Sequence, residues 1–257
     1  MASNRGLPIV FANAMAKSGS HILEQFLEGL ELMTPLTFTD IHPIRTMDAT
    51  GQFRSTAAVL RDLGRLRPGD MGWGYIPSRP AYIRWFEQSN VVSFFVFRDP
   101  RDKIVSHILY AMDIHLEHAM HDFYHDLDTM EKRIEATIDG VPGYVEDVGR
   151  TYESYLGWLE LPSVFPVRFE DLVVDQPGIV RRMIQHLESA GVEIRGDFDQ
   201  NLRDLLEAMA PQHSPTFRSG TAGGWRDHFT DENIRHFKES TGELLIELGY
   251  EESGDWD

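Results

Sequence analysis

The chain has 257 residues, 42% hydrophobic and 25% charged, a composition typical of one large α/β domain or two small ones and not of a disordered chain or a fibre. With 24 basic and 41 acidic residues the formal net charge is −17, which argues against nucleic acid or an anionic membrane as the main partner. Cysteine is absent, which excludes disulfides and thiolate chemistry. No apolar run approaches the roughly 20 residues of a transmembrane helix. The first residues lack the apolar core of a signal peptide, so we expect a cytoplasmic protein.

The predicted fold opens with a strand, a loop of small residues and a helix. Residues 7–12 (LPIVFA) are typical of a short buried strand, and apolar side chains recur at helical spacing over 21–32. The loop between them includes AKSGSH at 16–21. A helix N-terminus has unpaired N–H groups that bind an anion, and Lys17 adds a positive charge. The GxxxxGK[ST] pattern of nucleoside triphosphate-binding loops is absent, so an ordinary strand-to-helix turn stays an alternative.

A second strand is predicted over 90–97 (NVVSFFVF), which is as apolar as a central parallel strand covered on both faces. It leads into a helical pattern over 103–112, which we expect Asp102 to cap. Arg98 follows the predicted strand, and Ser106 is placed on the first turn of this helix. Both side chains are able to bind a phosphate. For Arg101 we favour a structural ion pair with Asp102 over contact with a ligand.

The remaining elements complete an alternation of strands and helices, which predicts an α/β fold with a parallel sheet. Thr230 is expected to cap the last helix, with Asn233 where a capping box prefers Glu. The predicted elements are a strand over 163–169 and helices over 178–190, 201–209 and 230–248.

An acidic, histidine-rich and mostly helical stretch over 113–161 is interpreted as a substrate-side insertion in a single domain, 1–257. Four histidines in it fall near one face of a helix. A solvent-facing or substrate-facing helix is favoured over a metal site for them. They are His115, His118, His121 and His125.

Four motifs, taken in chain order, resemble those of sulfotransferases that use 3′-phosphoadenosine 5′-phosphosulfate (PAPS). AKSGSHI at 16–22 keeps the KSG core of the family's PKSGTTW, and RDPRDKIVS at 98–106 matches RxPRDxxxS. RFEDL at 168–172 is similar to [RY]YEDL. RSGTAGGWRDHFT at 218–230 matches RKGxxGDWKNHFT at most positions, although by composition alone it fits a plain surface loop.

The resemblance implies a three-layer α/β fold related to the P-loop fold, with a short parallel sheet and helices on both faces. It also implies transfer of a sulfuryl group from PAPS to a hydroxyl or amine of a small-molecule acceptor. The product would be 3′-phosphoadenosine 5′-phosphate (PAP), and no metal is required. A nucleotide kinase is disfavoured, because the chain has no lysine after glycine in the loop. A homodimer is left open.

The resemblance also implies roles for individual residues. Lys17 and the backbone of the next four residues hold the 5′-phosphosulfate, and Lys17 stabilises the leaving oxygen. Phe169 packs on the adenine, where Ile22 replaces the Trp of many members. The residues of the phosphosulfate loop are Lys17, Ser18, Gly19, Ser20 and His21. The residues assigned to the 3′-phosphate are Arg98, Ser106, Arg218 and Gly220, with Ser219 in place of the family's usual Lys.

The catalytic base is where the chain departs from the family. Tyr75 stands where many members carry a His, and a Tyr with a pKa near 10 is a poor base at neutral pH. Three alternatives follow: another group serves, Tyr75 is activated by Lys17 or a neighbouring Arg, or the chain is a catalytically impaired PAPS- or PAP-binding protein. The other groups considered are His42, His21, His107 and a carboxylate. The acceptor pocket is expected to be apolar, lined by Phe38, His42, Trp73, Tyr75 and parts of 113–160.

Overall fold

The computed structural model describes residues 6–41, 43–48, 51–210 and 222–257. The chain forms two compact units, and each is built from two stretches of sequence. The first unit comprises Met1–Phe97 and Tyr155–Gly220, and the second comprises Arg98–Ser154 and Thr221–Asp257. The single domain with a substrate-side insertion stays a prediction.

The first unit contains a parallel β-sheet. Its strands are β1 (Ile9–Ala14), β2 (Thr37–Phe38), β3 (Ile44–Arg45), β4 (Asp70–Tyr75), β5 (Val91–Phe97) and β6 (Val164–Arg168). The order is β2-β4-β1-β5-β6, with β3 also paired to β4. Every residue of β1 and β5 is buried, as expected for central strands of a parallel sheet.

The α-helices of the described residues are α1 (Ser20–Met33), α2 (Thr56–Leu63), α3 (Pro80–Gln88), α4 (Pro100–Leu109), α5 (His121–Asp126), α6 (Met130–Asp139), α7 (Val148–Leu156), α8 (Phe169–Val174), α9 (Gln176–Ser189), α10 (Phe198–Ala208), α11 (Asp231–Thr241) and α12 (Leu244–Glu247). A π-helical turn spans Tyr110–Ile114, and a 3₁₀ turn spans Gly224–Asp227.

Helices cover both faces of the sheet, because side chains of a strand alternate between its faces. Val10 and Ala12 of β1 belong to a core cluster that includes Phe26 of α1 and buried residues of α9 and α10. Phe11 points to the other face, where its ring meets Phe86 of α3 edge-on at 5.4 Å. The predicted parallel sheet flanked by helices is confirmed.

β4 was not among the predicted strands. Its sequence, DMGWGY, contains two glycines and no β-branched residue, so it carries little strand signal. Gly74 is required by its neighbour β3, because a Cβ at this position would overlap the carbonyl oxygen of Ile44. The strand is therefore set by pairing with β1, β2 and β3 and not by local propensity.

The start of α4 corrects two predictions. The helix begins at Pro100, and Asp99, not Asp102, is its N-cap, with the Asp99 carboxylate accepting the N–H of Arg101 at 2.9 Å. Pro is favoured at the first helical position because its fixed φ suits the helix and its missing N–H is not needed there. Ser106 consequently lies in the second turn of the helix and not the first.

The last predicted helix is interrupted. Thr230 and Asn233 form the reciprocal capping box at the start of α11, so the predicted cap is confirmed with Asn in place of Glu. Gly242, with a φ of 57°, ends α11 before the short α12. In the described part of the chain, no helix is both long and apolar enough to cross a membrane.

The region 113–161 is mostly helical as predicted, but its histidines do not share one helix. His115 and His118 lie in turns before α5, and only His121 and His125 belong to that helix. The prediction that all four lie near one helix face is therefore wrong. Among the described residues, no group of three His, Asp or Glu side chains has an arrangement that holds a metal ion.

Candidate functional site

The loop between β1 and α1 leads into a helix start with an unusual backbone conformation. Lys17 and Gly19 have positive φ angles of 67° and 94°, and Gly19 is the N-cap of α1. Among the residues that the structure describes, no side chain caps this 14-residue helix, and its first turn contains no acidic residue. Its N–H groups and its partial positive charge are therefore suited to an anion, with no competing carboxylate in that turn.

Ser18 and Phe169 add two further features to this loop. The Ser18 Oγ is fully buried and has no hydrogen-bond partner among the residues the structure describes, an arrangement that costs free energy unless a ligand satisfies the group. Phe169, the first residue of α8, packs on Gly19 so closely that a Cβ there would lie 2.8 Å from its Cδ2. The structure thus brings Phe169 to the predicted phosphosulfate loop, and Gly19 is the residue that leaves room for it.

Tyr75 is joined to the same loop by a hydrogen bond. Its Oη lies 2.8 Å from the Oγ of Ser20, the first residue of α1. The chain just after Tyr75 is fixed by Asn13, whose side chain donates to the carbonyl oxygen of Ile76 at 2.8 Å and accepts its N–H at 2.9 Å. Trp158 Nε1 donates to the same carbonyl oxygen at 2.7 Å. These contacts, formed by residues that the sequence analysis did not single out, hold the phenol beside the loop.

The surroundings of the Tyr75 ring are mostly aromatic. Trp73 meets it edge-on with 5.4 Å between ring centroids, and the Arg45 guanidinium lies 5.7 Å from its centroid. Burial, and then the neighbouring Tyr75, raise the pKa of Tyr155. Tyr155 therefore stays protonated at neutral pH and is unsuited to act as a base there.

In the second unit, the side chain and the main chain of Arg98 each have a partner. Its Nη2 lies 3.9 Å from Asp102 Oδ2, and its carbonyl oxygen accepts a hydrogen bond from Tyr152 Oη at 2.7 Å. The Arg98 side chain is 13% exposed. This is the geometry of a partly buried guanidinium that is still able to contact an anion.

Arg101 has the structural role that was predicted, but with other partners. It forms ion pairs with Asp99 and Glu251, each with a shortest distance of 2.6 Å, and not with Asp102. Its guanidinium lies over the rings of both Trp225 and Trp256, 4.2 and 4.5 Å from their centroids. Burial opposes its charge, yet the two carboxylates outweigh burial and the pKa of Arg101 is raised.

The Asp102 carboxylate binds the turn at 223–225 and does not cap α4. Its two carboxylate oxygens accept the N–H groups of Gly223 at 2.7 Å and Trp225 at 2.8 Å. Burial raises the pKa of Asp102, while Arg98 and the two N–H groups act in the opposite direction.

The other predicted site residues are two histidines, two aromatic residues of the expected acceptor pocket, and four residues that the structure does not describe. His21 lies in the first turn of α1, with Nδ1 3.4 Å from Glu24, and the His107 ring packs against His118 and Tyr124 in the second unit. Trp73 is buried in the core cluster of the first unit, and Phe38 is partly buried and packs against that cluster. The remaining residues lie outside the described part of the chain: His42, Arg218, Ser219 and Gly220.

Comparison with known proteins identifies the family. The sulfotransferase domain model matches residues 84–249. A mouse sulfotransferase complexed with PAP superposes with a TM-score of 0.66 at 14% identity, covering 96% of this chain and 86% of that one. Retinol dehydratase in a complex with retinol and PAP gives 0.60 at 15% identity, with 97% and 82% covered. Comparison with curated protein sequences gives no match.

The fold and the family match together define the class of protein. The likeness to the two solved structures supports the α/β fold with its parallel sheet, and the family match covers more than half of the chain. The chain belongs to the sulfotransferase family.

Proposed function

We propose that the protein transfers a sulfuryl group from PAPS to a hydroxyl or amine of a small-molecule acceptor and releases PAP. The observation that carries the proposal is the loop before α1. An uncapped helix start, Lys17 at its edge and a buried Ser18 Oγ with no partner in the described residues form a site suited to a phosphosulfate.

Two sets of residues are proposed to hold the two ends of the nucleotide. Lys17 and the N–H groups of the four residues that follow bind the 5′-phosphosulfate, and Phe169 packs on the adenine. The set proposed for the 3′-phosphate is Arg98, Ser106, Arg218, Ser219 and Gly220. Asp102 lies beside the Arg98 guanidinium, and Tyr152 binds the Arg98 carbonyl oxygen. An arginine with such partners is suited to bidentate contact with a phosphate.

The chemical step is an in-line displacement. The acceptor oxygen or nitrogen attacks sulfur, and the bond between sulfur and the bridging oxygen breaks. The electron pair of that bond goes to the 5′-phosphate of PAP, and the acceptor proton goes to a base. Lys17 stabilises the negative charge that develops on the bridging oxygen, so catalysis comes mainly from positioning and electrostatic stabilisation.

A second candidate function is binding of PAPS or PAP without transfer. One observation favours it: the group at the position of the family's base is a phenol, and it is hydrogen-bonded to Ser20 of the phosphosulfate loop. A phenol with an ordinary pKa accepts a proton poorly at pH 7.

The acceptor is proposed to be apolar and to contain a ring. Phe38 supports this, since it is aromatic, is only partly buried and lies on β2, which pairs with β4, the strand of Tyr75. Retinol dehydratase, which shares the fold, has been crystallised with retinol and with androsterone, and the latter complex superposes with a TM-score of 0.58 at 15% identity.

A radiolabelled transfer assay tests the proposal. The purified chain is incubated with [³⁵S]PAPS and a panel of phenols, steroid alcohols, retinoids and aryl amines, and PAP binding is measured by calorimetry. Transfer to any acceptor supports the sulfotransferase activity. PAP binding without transfer to any of them supports the second candidate, and absence of PAP binding contradicts both.

A further inference from the structure

Asp102 has an unusual position for a buried carboxylate. It lies within α4, its side chain is 2% exposed, and it does not cap the helix. Its partners are two N–H groups of one turn, Gly223 and Trp225, and the guanidinium of Arg98. One carboxylate therefore connects a chain segment more than 120 residues away to the arginine that follows β5.

The turn at 223–225 does not depend on Asp102 alone. Trp225 is buried, and its ring stacks on the Arg101 guanidinium at 4.2 Å and meets Trp256 edge-on at 5.9 Å. Burial also raises the pKa of Asp102, which means that the ionised form costs folding free energy relative to the neutral form. The same carboxylate lies within ion-pair distance of the Arg98 guanidinium, at 3.9 Å.

Arg98 needs such a partner to be ordered before a ligand arrives. A free arginine side chain loses up to about 2 kcal/mol of rotamer freedom on being fixed. Tyr152 holds the Arg98 main chain by its hydrogen bond to the carbonyl oxygen. Asp102 Oδ2, which also accepts the Gly223 N–H, lies 3.9 Å from Arg98 Nη2 and restrains the side chain. The Gly223 and Trp225 N–H groups also bind the Asp102 carboxylate and offset part of its negative charge. The Arg98 guanidinium is therefore not fully neutralised by Asp102 and is able to bind a second anion.

We propose that Asp102 is a positioning residue that orients the Arg98 guanidinium for the 3′-phosphate of the nucleotide. The proposal rests on the proposed function, because it takes Arg98 to contact that phosphate. Asp102 acts through Arg98 and does not itself contact the nucleotide, since two anionic groups repel each other.

The test compares two nucleotides that differ only in the 3′-phosphate. Calorimetry measures the affinity of PAP and of adenosine 5′-phosphate for the wild-type chain, Asp102→Asn, Arg98→Ala and the double variant. We expect Asp102→Asn to weaken PAP binding by about tenfold, as found for coupled neighbours, and to leave adenosine 5′-phosphate unchanged. In the Arg98→Ala background the same change should have little further effect. Asp227→Asn, an exposed change of the same charge on the same turn, is the matched control and should bind both nucleotides as the wild type does.

The outcomes separate this proposal from the proposed function. Equal weakening of both nucleotides, or an undiminished effect in the Arg98→Ala background, overturns the positioning role while the nucleotide site stands. A wild-type chain that binds PAP no more tightly than adenosine 5′-phosphate contradicts the 3′-phosphate site itself, and with it this proposal.

A measurement on the wild type covers the case in which Asp102→Asn does not fold. Amide hydrogen exchange is followed at Gly223 and Trp225, whose N–H groups Asp102 accepts. We expect PAP, but not adenosine 5′-phosphate, to slow their exchange, because a fixed Arg98 restrains Asp102 in turn. Identical exchange with the two nucleotides overturns the proposal.

Discussion

Lys17 is the residue at which the local backbone and the proposed chemistry meet. Its φ of 67° is unusual for a non-glycine residue, and such a conformation costs of the order of 1–2 kcal/mol. The conformation is part of the turn that leads into the uncapped start of α1. Strain of this kind concentrates at ligand-binding sites, in agreement with the role proposed for the loop.

Lys17→Ala is expected to lower kcat by about 10²-fold while changing PAP affinity far less. The charge that Lys17 meets develops only as the bond to sulfur breaks, so the contact is stronger in the transition state than in the ground state. Steady-state kinetics and PAP calorimetry measure the two effects separately. Lys132→Ala, at an exposed lysine, is the control. Equal losses in kcat and in affinity would make Lys17 an ordinary phosphate ligand.

Substitutions at Tyr75 distinguish the three alternatives for the base. Tyr75→Phe keeps the ring but removes the hydrogen bond to Ser20. If the phenol takes part in proton transfer, this variant should lose about 10²-fold or more in turnover, the usual effect of a general base. Full activity of Tyr75→Phe would instead assign the base to another group, such as His42.

Tyr75→His introduces a group with an ordinary pKa near 6.5 at the position where the family carries its base. If the native chain is impaired, we expect turnover to rise sharply, by as much as about 10²–10⁴-fold. The rate should then increase with pH through the His pKa, because only the neutral imidazole accepts a proton. Turnover of both proteins with one acceptor between pH 6 and 9 is the measurement. An unchanged or lower rate would show that another base already serves.

At the scale of elements, α4 carries several charged residues with different contacts within its first turn. Asp99 caps the helix and binds Arg101, and Asp102 binds the turn at 223–225. Lys103 follows directly, and burial lowers its pKa to about 8. Its Nζ lies 5.6 Å from the centre of the Tyr152 ring. The charged ammonium group of Lys103 is therefore poorly solvated.

Lys103 makes a definite contribution to the pH dependence of stability. Its folded-state pKa of about 8 lies below the ordinary lysine value near 10.4, so the folded chain binds fewer protons than the unfolded chain between these values. This group's contribution to the free energy of unfolding therefore rises as the pH increases from about 8 to about 10. Below pH 8 the cost of its charge is constant.

Lys103→Met should therefore be more stable than the wild type at pH 7, and the difference should shrink as the pH approaches 10. Denaturant unfolding of both proteins at pH 7, 8, 9 and 10 measures it. Tyr124 and Tyr155, whose pKa values are raised, titrate in both proteins and cancel in the difference. Lys132→Met is the control and should show no such trend. A difference independent of pH would mean that the lysine titrates normally.

At the scale of the whole chain, each unit is completed by a distant stretch of sequence. In the second unit, Trp256 near the C-terminus packs on Arg101, Trp225 and Phe237. Its carbonyl oxygen accepts a hydrogen bond from Lys238 Nζ at 2.6 Å. Trp256 is therefore part of the second unit's core.

Trp256→Ala is expected to destabilise the protein by about 3 kcal/mol, because it removes a large side chain that is only 9% exposed and leaves a cavity beside Arg101. The corresponding fall in Tm is roughly 6–12 °C. Thermal unfolding measures it, with Tyr144→Ala, at a residue 60% exposed in the same unit, as the control. A fall no larger than that of the control would contradict the role of the C-terminus in this core.

The sequence alone determined those features that depend on neighbouring residues. Three strands were recognised from short apolar runs: two are the central strands β1 and β5, and the third is the edge strand β6. The loop at 16–21 was recognised because small residues between a strand and a helix expose N–H groups. The motifs carried the family, and Thr230 and Asn233 identified the start of α11. Each of these signals lies within a single short run of the sequence.

Only the tertiary structure decided which distant residues meet. Strand β4 exists because β1, β2 and β3 pair with it, and Gly74 is needed only because Ile44 lies beside it. The sequence pattern assigned the cap of α4 to Asp102, whereas the structure assigns it to Asp99. They differ because Arg101 binds one, while the turn at 223–225 and Arg98 bind the other. The hydrogen bond of Tyr75 to Ser20 likewise joins residues 55 positions apart. Contacts of this kind depend on how the whole chain packs, and local sequence patterns carry no record of them.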